Sequence, residues 1–372
     1  IESMNTVLDE NKKLCLVSGE IITMTSWMRM VFEVEDLAVA SPATVSRVGI
    51  IYLEPSTSVG TQAIVDSWLL TLPEDVKPHA GALKKLFDAH LDEALDFHRR
   101  NLKEYVRSVE PNLWRSVLNM IDGYLQEYIV KEGEMVEQDR KDSLKNTIEP
   151  IFFISLIWGI AGACDAASRA KFDEWVRTRK SFPAKGSVFD YAYDTQNEKW
   201  KGWMETVEHR EIDARKSFSD LIVSTPETVS YSFVIEHITT QLKHVLCVGP
   251  TGTGKTLTVK QKLMTGMDTH VYTPQFLTFS AQTSANQTQD ILDGKMDKRR
   301  KGVYGPPVGK RYQIFVDDMN MPVREVYFAQ PPIEILRQWM DHGGWYDRKT
   351  HQFTNVVDVM FIGAMGPPGG GR

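Results

Sequence analysis

The residues best suited to chemistry are the eight from Gly249 to Thr256, "GPTGTGKT", inside "HVLCVGPTGTGKTLTVK". They satisfy G-x-x-x-x-G-K-[ST] without a mismatch. Gly249, Gly252 and Gly254 let backbone N–H groups turn inward around phosphates, with Pro250, Thr251 and Thr253 completing the loop. The helix that follows aims its positive end at the same point. Lys255 would then reach the β- and γ-phosphates, and the Thr256 hydroxyl would bind Mg²⁺. A second stretch supports this reading. "QIFVDD" is an apolar run ending in two carboxylates, Asp317 and Asp318. It lies about 60 residues downstream, where a P-loop protein holds Mg²⁺ on a strand-end Asp, directly or through water. The competing readings are a chance glycine turn and an Asp pair that caps a turn. The guanine-reading motif Asn-Lys-x-Asp does not occur, so ATP or ADP is expected rather than GTP.

These residues need a parallel sheet to position them. The apolar runs at 244–248, "HVYTPQFLTFS", "RYQIFVDDMN" and "DVMFIGAMG" each predict a strand, separated by helical or loop stretches. Strands alternating with helices indicate an α/β parallel sheet. Upstream the period is helical. Leu83, Phe87, Leu91, Leu95, Leu102, Tyr105 and Val109 recur at helical steps, which predicts one amphipathic helix ended by Glu110-Pro111-Asn112. A second helix follows, with Leu113, Val117, Met120, Ile121, Tyr124 and Tyr128 as its stripe. The window Ile151–Cys164 supplies a third. Its roughly 14 residues fall below the roughly 18 of a membrane span, so it reads as a buried helix. Residues 60 to 180 thus form an all-helical part. Residues 181 to 220 read as a connector with short strands. At the start, Met28–Val34 and Val48–Glu54 read as short buried strands, with Pro55 and "STSVGT" punctuating the block.

The bulk properties are those of a globular protein of 372 residues, with 42% hydrophobic and 25% charged residues. The net charge of −6 offers no global basic field for nucleic acid. Three scattered cysteines predict no disulfide and no metal pair. The nine histidines lack metal-ligand spacing. The basic run Lys298–Lys301, with Lys310 and Arg311 nearby, reads as a solvated loop. Trp200, Trp203 and Phe218 read as a packed inter-module core, with a partner surface as the alternative. Both chain ends read as cuts in something longer.

Several longer strings resemble one family. "FSAQTSANQTQDILDGKMDKRRKGVYGPPVGKR", "IFVDDMNMP" and "QPPIEILRQWMDHGGWYD", with the phosphate loop, are similar to the third AAA+ module of a dynein heavy chain. "LDENKKLCLVSGEII" and "ASPATVSRVGIIYLEP" resemble the late part of the second module. "DDMNMP" and "GPPGGGR" are closer to axonemal than to cytoplasmic members, and an inner-arm chain is the expectation.

The resemblance implies AAA+ P-loop modules with an intervening all-helical small subdomain. Residues 1–55 would end the second large subdomain, with Ile1-Glu2 the tail of its Walker B strand. Residues 56–215 would be its helical small subdomain and connector, and 216–372 the third large subdomain. Arg47, in "SPATVSR", would be the arginine finger lent to the first module's ATP site. Asp318 stands where many AAA+ proteins carry the Glu that polarises the attacking water. Gly366 stands where cytoplasmic relatives carry an Asn that contacts the γ-phosphate. Both departures imply a third site that binds nucleotide and hydrolyses it slowly or not at all, its own arginine coming from the fourth module. Implied partners are the remaining modules, microtubules, intermediate and light chains and other axonemal proteins. Nucleic acid and membrane are not implied. The implied location is the axoneme of a cilium or flagellum. A structural clamp that only holds nucleotide is the second reading, and an unrelated P-loop kinase the third.

Overall fold

A computed structural model describes residues 4–34, 36–53, 60–129, 138–207 and 223–368. Two compact units result, Ile1–Gly60 and Thr61–Arg372. The expected Ile1-Glu2 strand tail, Pro55, Phe218 and the 55/56 and 215/216 boundaries all lie outside the described residues.

The first unit is small. Helix α1 (Asn5–Leu8) precedes a two-stranded antiparallel ribbon, β1 (Lys13–Cys15) with β2 (Ile21–Thr23). Helix α2 (Pro42–Val45) starts at Ser41, whose side chain accepts the Thr44 N–H, an N-cap followed by proline at the first helical turn. The two strands expected at 28–34 and 48–54 do not form among the described residues, which for the second run end at 53. Val31 is 90% exposed and Ile51 86%. A strand needs a ladder partner, and among the described residues none pairs with either run.

The second unit opens with α3 (Thr61–Leu70), α4 (Ala80–Asn101), α5 (Glu110–Leu125), α6 (Gln138–Ala161) and α7 (Ala166–Arg177). Helix α4 is shorter than its apolar period suggests, because Leu102 turns extended. Glu110-Pro111 opens α5 instead of closing α4, as suits proline in a first turn. The intervening loop is held by Glu104, which accepts the Ser108 N–H at 3.0 Å and Arg99 Nη1 at 3.3 Å. Such local side-chain bonds compete with helix. Leu102, Tyr105 and Val109 therefore sit off the helix, while Leu83, Phe87, Leu91 and Leu95 are buried on it.

Helix α6 is the centre of this bundle. Ile151, Phe152, Phe153, Leu156, Ile157 and Ile160 are fully buried. By length and apolarity Ser143–Ala161 could cross a membrane, yet 78% of that window is buried in the protein's own core. The crossing of α5 and α6 is close. A Cβ on Gly159 would fall 2.7 Å from Val117 N and 2.8 Å from its Cα, so only glycine fits. The connector carries a hairpin, β3 (Tyr191–Asp194) with β4 (Lys199–Gly202). Trp203 is buried and donates its indole N–H to the Phe189 carbonyl at 2.7 Å, and Trp200 packs on Phe182 and Tyr193. Trp203 is core, as expected, while Trp200 is half-buried against it.

Helix α8 (Pro226–Thr239) joins the helices to the sheet. Its His237 Nε2 donates to the Met120 carbonyl at 2.8 Å, and Gln241 Nε2 to the Asn119 carbonyl at 3.2 Å. Both acceptors lie on α5. Then come β5 (Val245–Val248), α9 (Lys255–Thr265), β6 (Tyr272–Thr278), α10 (Ala285–Asp293), a hairpin of β7 (Asp297–Arg300) and β8 (Val303–Gly305), β9 (Arg311–Asp317), α11 (Pro331–His342), β10 (Gly344–Tyr346), β11 (Phe353–Val356) and β12 (Val359–Met365). The main sheet has the order β5-β12-β9-β6 with every pairing parallel. All four strands coincide with the four apolar runs. The two central strands have completely buried centres, such as Ile314, Phe315 and Ile362, as strands covered on both faces require, whereas edge strand β5 leaves Leu246 50% exposed. A second sheet, β10-β11-β8-β7, stands beside it. The basic run is not a loop, as its charge suggested. Lys298 to Arg300 form edge strand β7, and charged side chains there protect an unpaired edge.

Candidate functional site

Strand β5 delivers the chain to the phosphate loop and α9 leaves it. Gly252 has φ +84° and Gly254 φ +77°, and a Cβ on either would meet nothing within 4 Å. Backbone twist, not crowding, therefore demands glycine at both. Gly254 is also the N-cap of α9, so the helix starts at Lys255 with its free N–H groups facing the loop. Thr253 Oγ1 donates to the Pro250 carbonyl at 2.9 Å and braces the turn. Thr251 is exposed at its outer side. Lys255 Nζ donates to the carbonyls of Gly249 and Pro250, both at 2.7 Å, folding the ammonium into the hollow of the loop. Cys247, on β5, is pushed up to about 11 by burial, which Lys255 only partly opposes; it is a thiol, not a nucleophile.

The two separated motifs meet. Thr256 Oγ1 donates to Asp317 Oδ1 at 3.0 Å, across 61 positions of sequence. The sheet order explains how. Strand β12 lies between β5 and β9 and brings both C-terminal ends to one edge. Asp317 also accepts the Asp318 N–H at 3.1 Å. The 3.0 Å Thr256–Asp317 spacing fits adjacent corners of a Mg²⁺ octahedron, about 3.0 Å for ligands at about 2.1 Å. Asp318 is exposed and has φ +51°, a left-handed backbone that turns the chain sharply off the strand. Gly366 follows β12 at the same sheet edge. Arg47 lies in the first unit, after α2. It pairs with Asp9 and donates to the Ala43 carbonyl at 2.7 Å, its side chain 31% exposed.

Two contributions were not legible in the sequence. A cavity of about 980 Å³ runs from Pro250, Thr253 and Lys255 past the first turns of α8, Pro226, Glu227 and Ser230, to the helical bundle at Arg169. The only available signal was "STPET", a helix start with Thr225 as N-cap. His244 is the other. Its Nδ1 accepts the Phe361 N–H at 3.1 Å and its ring meets Trp339 edge-on, which fixes the entry of β5.

A phosphate loop and a strand-end Asp at one edge of a parallel sheet define a P-loop NTPase module of the AAA+ kind. "P-loop containing dynein motor region" matches residues 210–372, and "Dynein heavy chain AAA lid domain" matches 83–205. Dynein axonemal heavy chain 1 of Mus musculus is 47% identical over 397 aligned positions, covering 100% of this chain and 9% of that protein. The Homo sapiens counterpart is likewise 47% identical, with the same coverage. Dynein axonemal heavy chain 12 of Mus musculus is 44% identical, covering 100% of this chain and 12% of that protein. The chain belongs to the dynein heavy chain family, on its axonemal side. It spans about a tenth of the length of these relatives.

Proposed function

We propose that this chain is part of the ATP-driven AAA+ ring of an axonemal dynein heavy chain, and that its phosphate loop is the nucleotide site of the third module. The map is residues 1–55 for the end of the second large subdomain, 56–215 for its helical small subdomain and connector, and 216–372 for the third large subdomain. The whole motor hydrolyses ATP, moves toward microtubule minus ends and drives ciliary beating as an inner-arm chain. The names of its relatives support the axonemal location.

The observation that carries the nucleotide reading is the Thr256–Asp317 contact at 3.0 Å. These two side chains would hold Mg²⁺, Thr256 through its hydroxyl and Asp317 directly or through water. Mg²⁺ held there would supply charge neutralisation to the phosphates. Lys255 exchanges its two loop carbonyls for phosphate oxygens, and the N–H groups of Gly252 to Thr256 surround them. Arg47 serves the first module's site from across a module boundary, where an arginine offsets transition-state charge.

The site's role is regulatory: nucleotide here gates turnover at the first module. Asp318 is one methylene shorter than a glutamate, and a misplacement of about 1 Å costs roughly a hundredfold in rate. Gly366 has no side chain to offer a γ-phosphate. Both favour slow hydrolysis or, in the second reading, a module that only holds nucleotide as a structural clamp. Quenching the purified heavy chain and identifying the nucleotide retained at this loop separates the two. ADP formed from bound ATP during slow turnover supports hydrolysis. ATP that persists unchanged through many motor cycles supports the clamp.

A further inference from the structure

The cavity of about 980 Å³ has a second end, away from the phosphate loop, where Arg169 and Trp158 both form its wall. Arg169 lies on α7 and Trp158 on α6. The guanidinium is caged by three rings, its Cζ 5.8 Å from the centre of Trp158, 5.2 Å from Phe189 and 5.6 Å from Tyr231. Such contacts hold the cation in place and shield it from water. Nη1 donates to the Tyr231 hydroxyl at 3.0 Å and Nη2 to the Gly162 carbonyl. Both acceptors are neutral.

Two donors at this end are left over. Arg169 Nε and Trp158 Nε1 are buried without an acceptor among the described residues, and Trp158 is only 9% exposed. A buried donor without an acceptor is costly, and a shielded charge without a counter-charge more so. The carboxylates of the same wall are committed elsewhere or face solvent. Asp173 accepts Arg177 Nε at 3.1 Å and the Val188 N–H at 2.6 Å, and Asp190 accepts the Ser187 N–H at 2.8 Å. Glu174 and Glu227 are exposed. Among the described residues none forms an ion pair with Arg169.

We propose that this end of the cavity is an oxyanion site, in which Arg169 Nε–H and Trp158 Nε1–H donate to the oxygens of one carboxylate or phosphate group. Arginine keeps its charge throughout the working pH range, and its planar donors match such groups. The site is separate from the phosphate loop and does not rest on the nucleotide reading. Two sources offer the chemistry. The chain spans about a tenth of the length of its relatives, so an aspartate or glutamate elsewhere in the heavy chain is tethered at high effective concentration. A free phosphate ion is the other. Either one pins α7 to α8, because Arg169 already holds Tyr231 of α8.

The test is a cryo-EM map of the full heavy chain, resolved to side chains, prepared without and with inorganic phosphate. Oxyanion density within hydrogen-bond reach of both nitrogens is expected. Density continuous with an aspartate or glutamate side chain in both preparations assigns the group to the heavy chain itself. Isolated density that appears only with phosphate assigns it to a free ion. Both uphold the proposal. A main-chain carbonyl, an apolar side chain or water alone at the two nitrogens in both preparations overturns it. Arg169→Gln removes the charge and is expected to displace the oxyanion. Should that variant not fold, Trp158→Phe removes the indole N–H, keeps a ring beside Phe189 and Trp203, and is expected to weaken the density. Oxyanion density that stays in place in a folded variant overturns the assignment. Lys255→Ala, at the other end of the cavity, leaves the density intact. Its loss there would make this end part of the nucleotide site and overturn the separate assignment.

Discussion

Thr256→Val isolates the metal from the rest of the nucleotide site. The substitution keeps the shape and replaces one hydroxyl by a methyl. In the free protein it removes the 3.0 Å hydrogen bond to Asp317, leaving that half-buried carboxylate with the Asp318 N–H at 3.1 Å. A hydrogen bond to a charged group is worth about 1.5–3 kcal/mol when buried; partial exposure reduces the stability loss here to about 1 kcal/mol. With nucleotide the same hydroxyl is a Mg²⁺ ligand. Losing one charge-assisted contact of about 1.5–3 kcal/mol weakens binding about 10- to 150-fold. The assay is displacement of a fluorescent ADP analogue in Mg²⁺ and again in chelator. The loss is expected only in Mg²⁺. Thr265→Val, whose hydroxyl bonds the Gln261 carbonyl at the far end of α9, serves as control and leaves affinity unchanged. Equal weakening with and without Mg²⁺, or none in either, refutes the assignment of Thr256 and Asp317 to the metal.

Two further outcomes follow from packing and charge. Gly159→Ala forces its new Cβ against Val117 backbone, and overpacking of this kind costs about 1–3 kcal/mol, read as a lower denaturant midpoint. His90, His98, His237 and His244 are all held below the ordinary histidine range, chiefly by burial. The unfolded chain takes up protons near pH 6.5, before the folded one does. Their contribution is therefore complete above that pH and drains as pH falls through the depressed folded values. Melting temperature recorded from pH 8 to 5 should decline below about 6.5, and His237→Gln should flatten the decline.

Much of the α/β half was legible because its signals are local. The apolar runs ending at Val248, Thr278, Asp317 and Met365 are strands, and "GPTGTGKT" specifies its own backbone. Their convergence was legible only as expectation, because the 3.0 Å Thr256–Asp317 contact depends on β12 inserting between their strands. Leu102, Tyr105 and Val109 misled for a physical reason: their spacing fits a helix, but Glu104 bonds its own loop instead. Met28–Val34 and Val48–Glu54 have strand composition, yet composition supplies no ladder partner. The fit of α8 on α5 through His237 and Met120 joins residues 117 positions apart, a relation that no local pattern carries.

Whether nucleotide at this loop gates the motor is open to direct measurement. It is tested most directly by ATP turnover of the full heavy chain carrying Lys255→Ala, against wild type, with and without microtubules. The first module is intact in that variant. Gating by this loop requires a sharp fall in microtubule-stimulated turnover. Unchanged turnover would contradict it and reduce the loop at Gly249–Thr256 to a support of the fold.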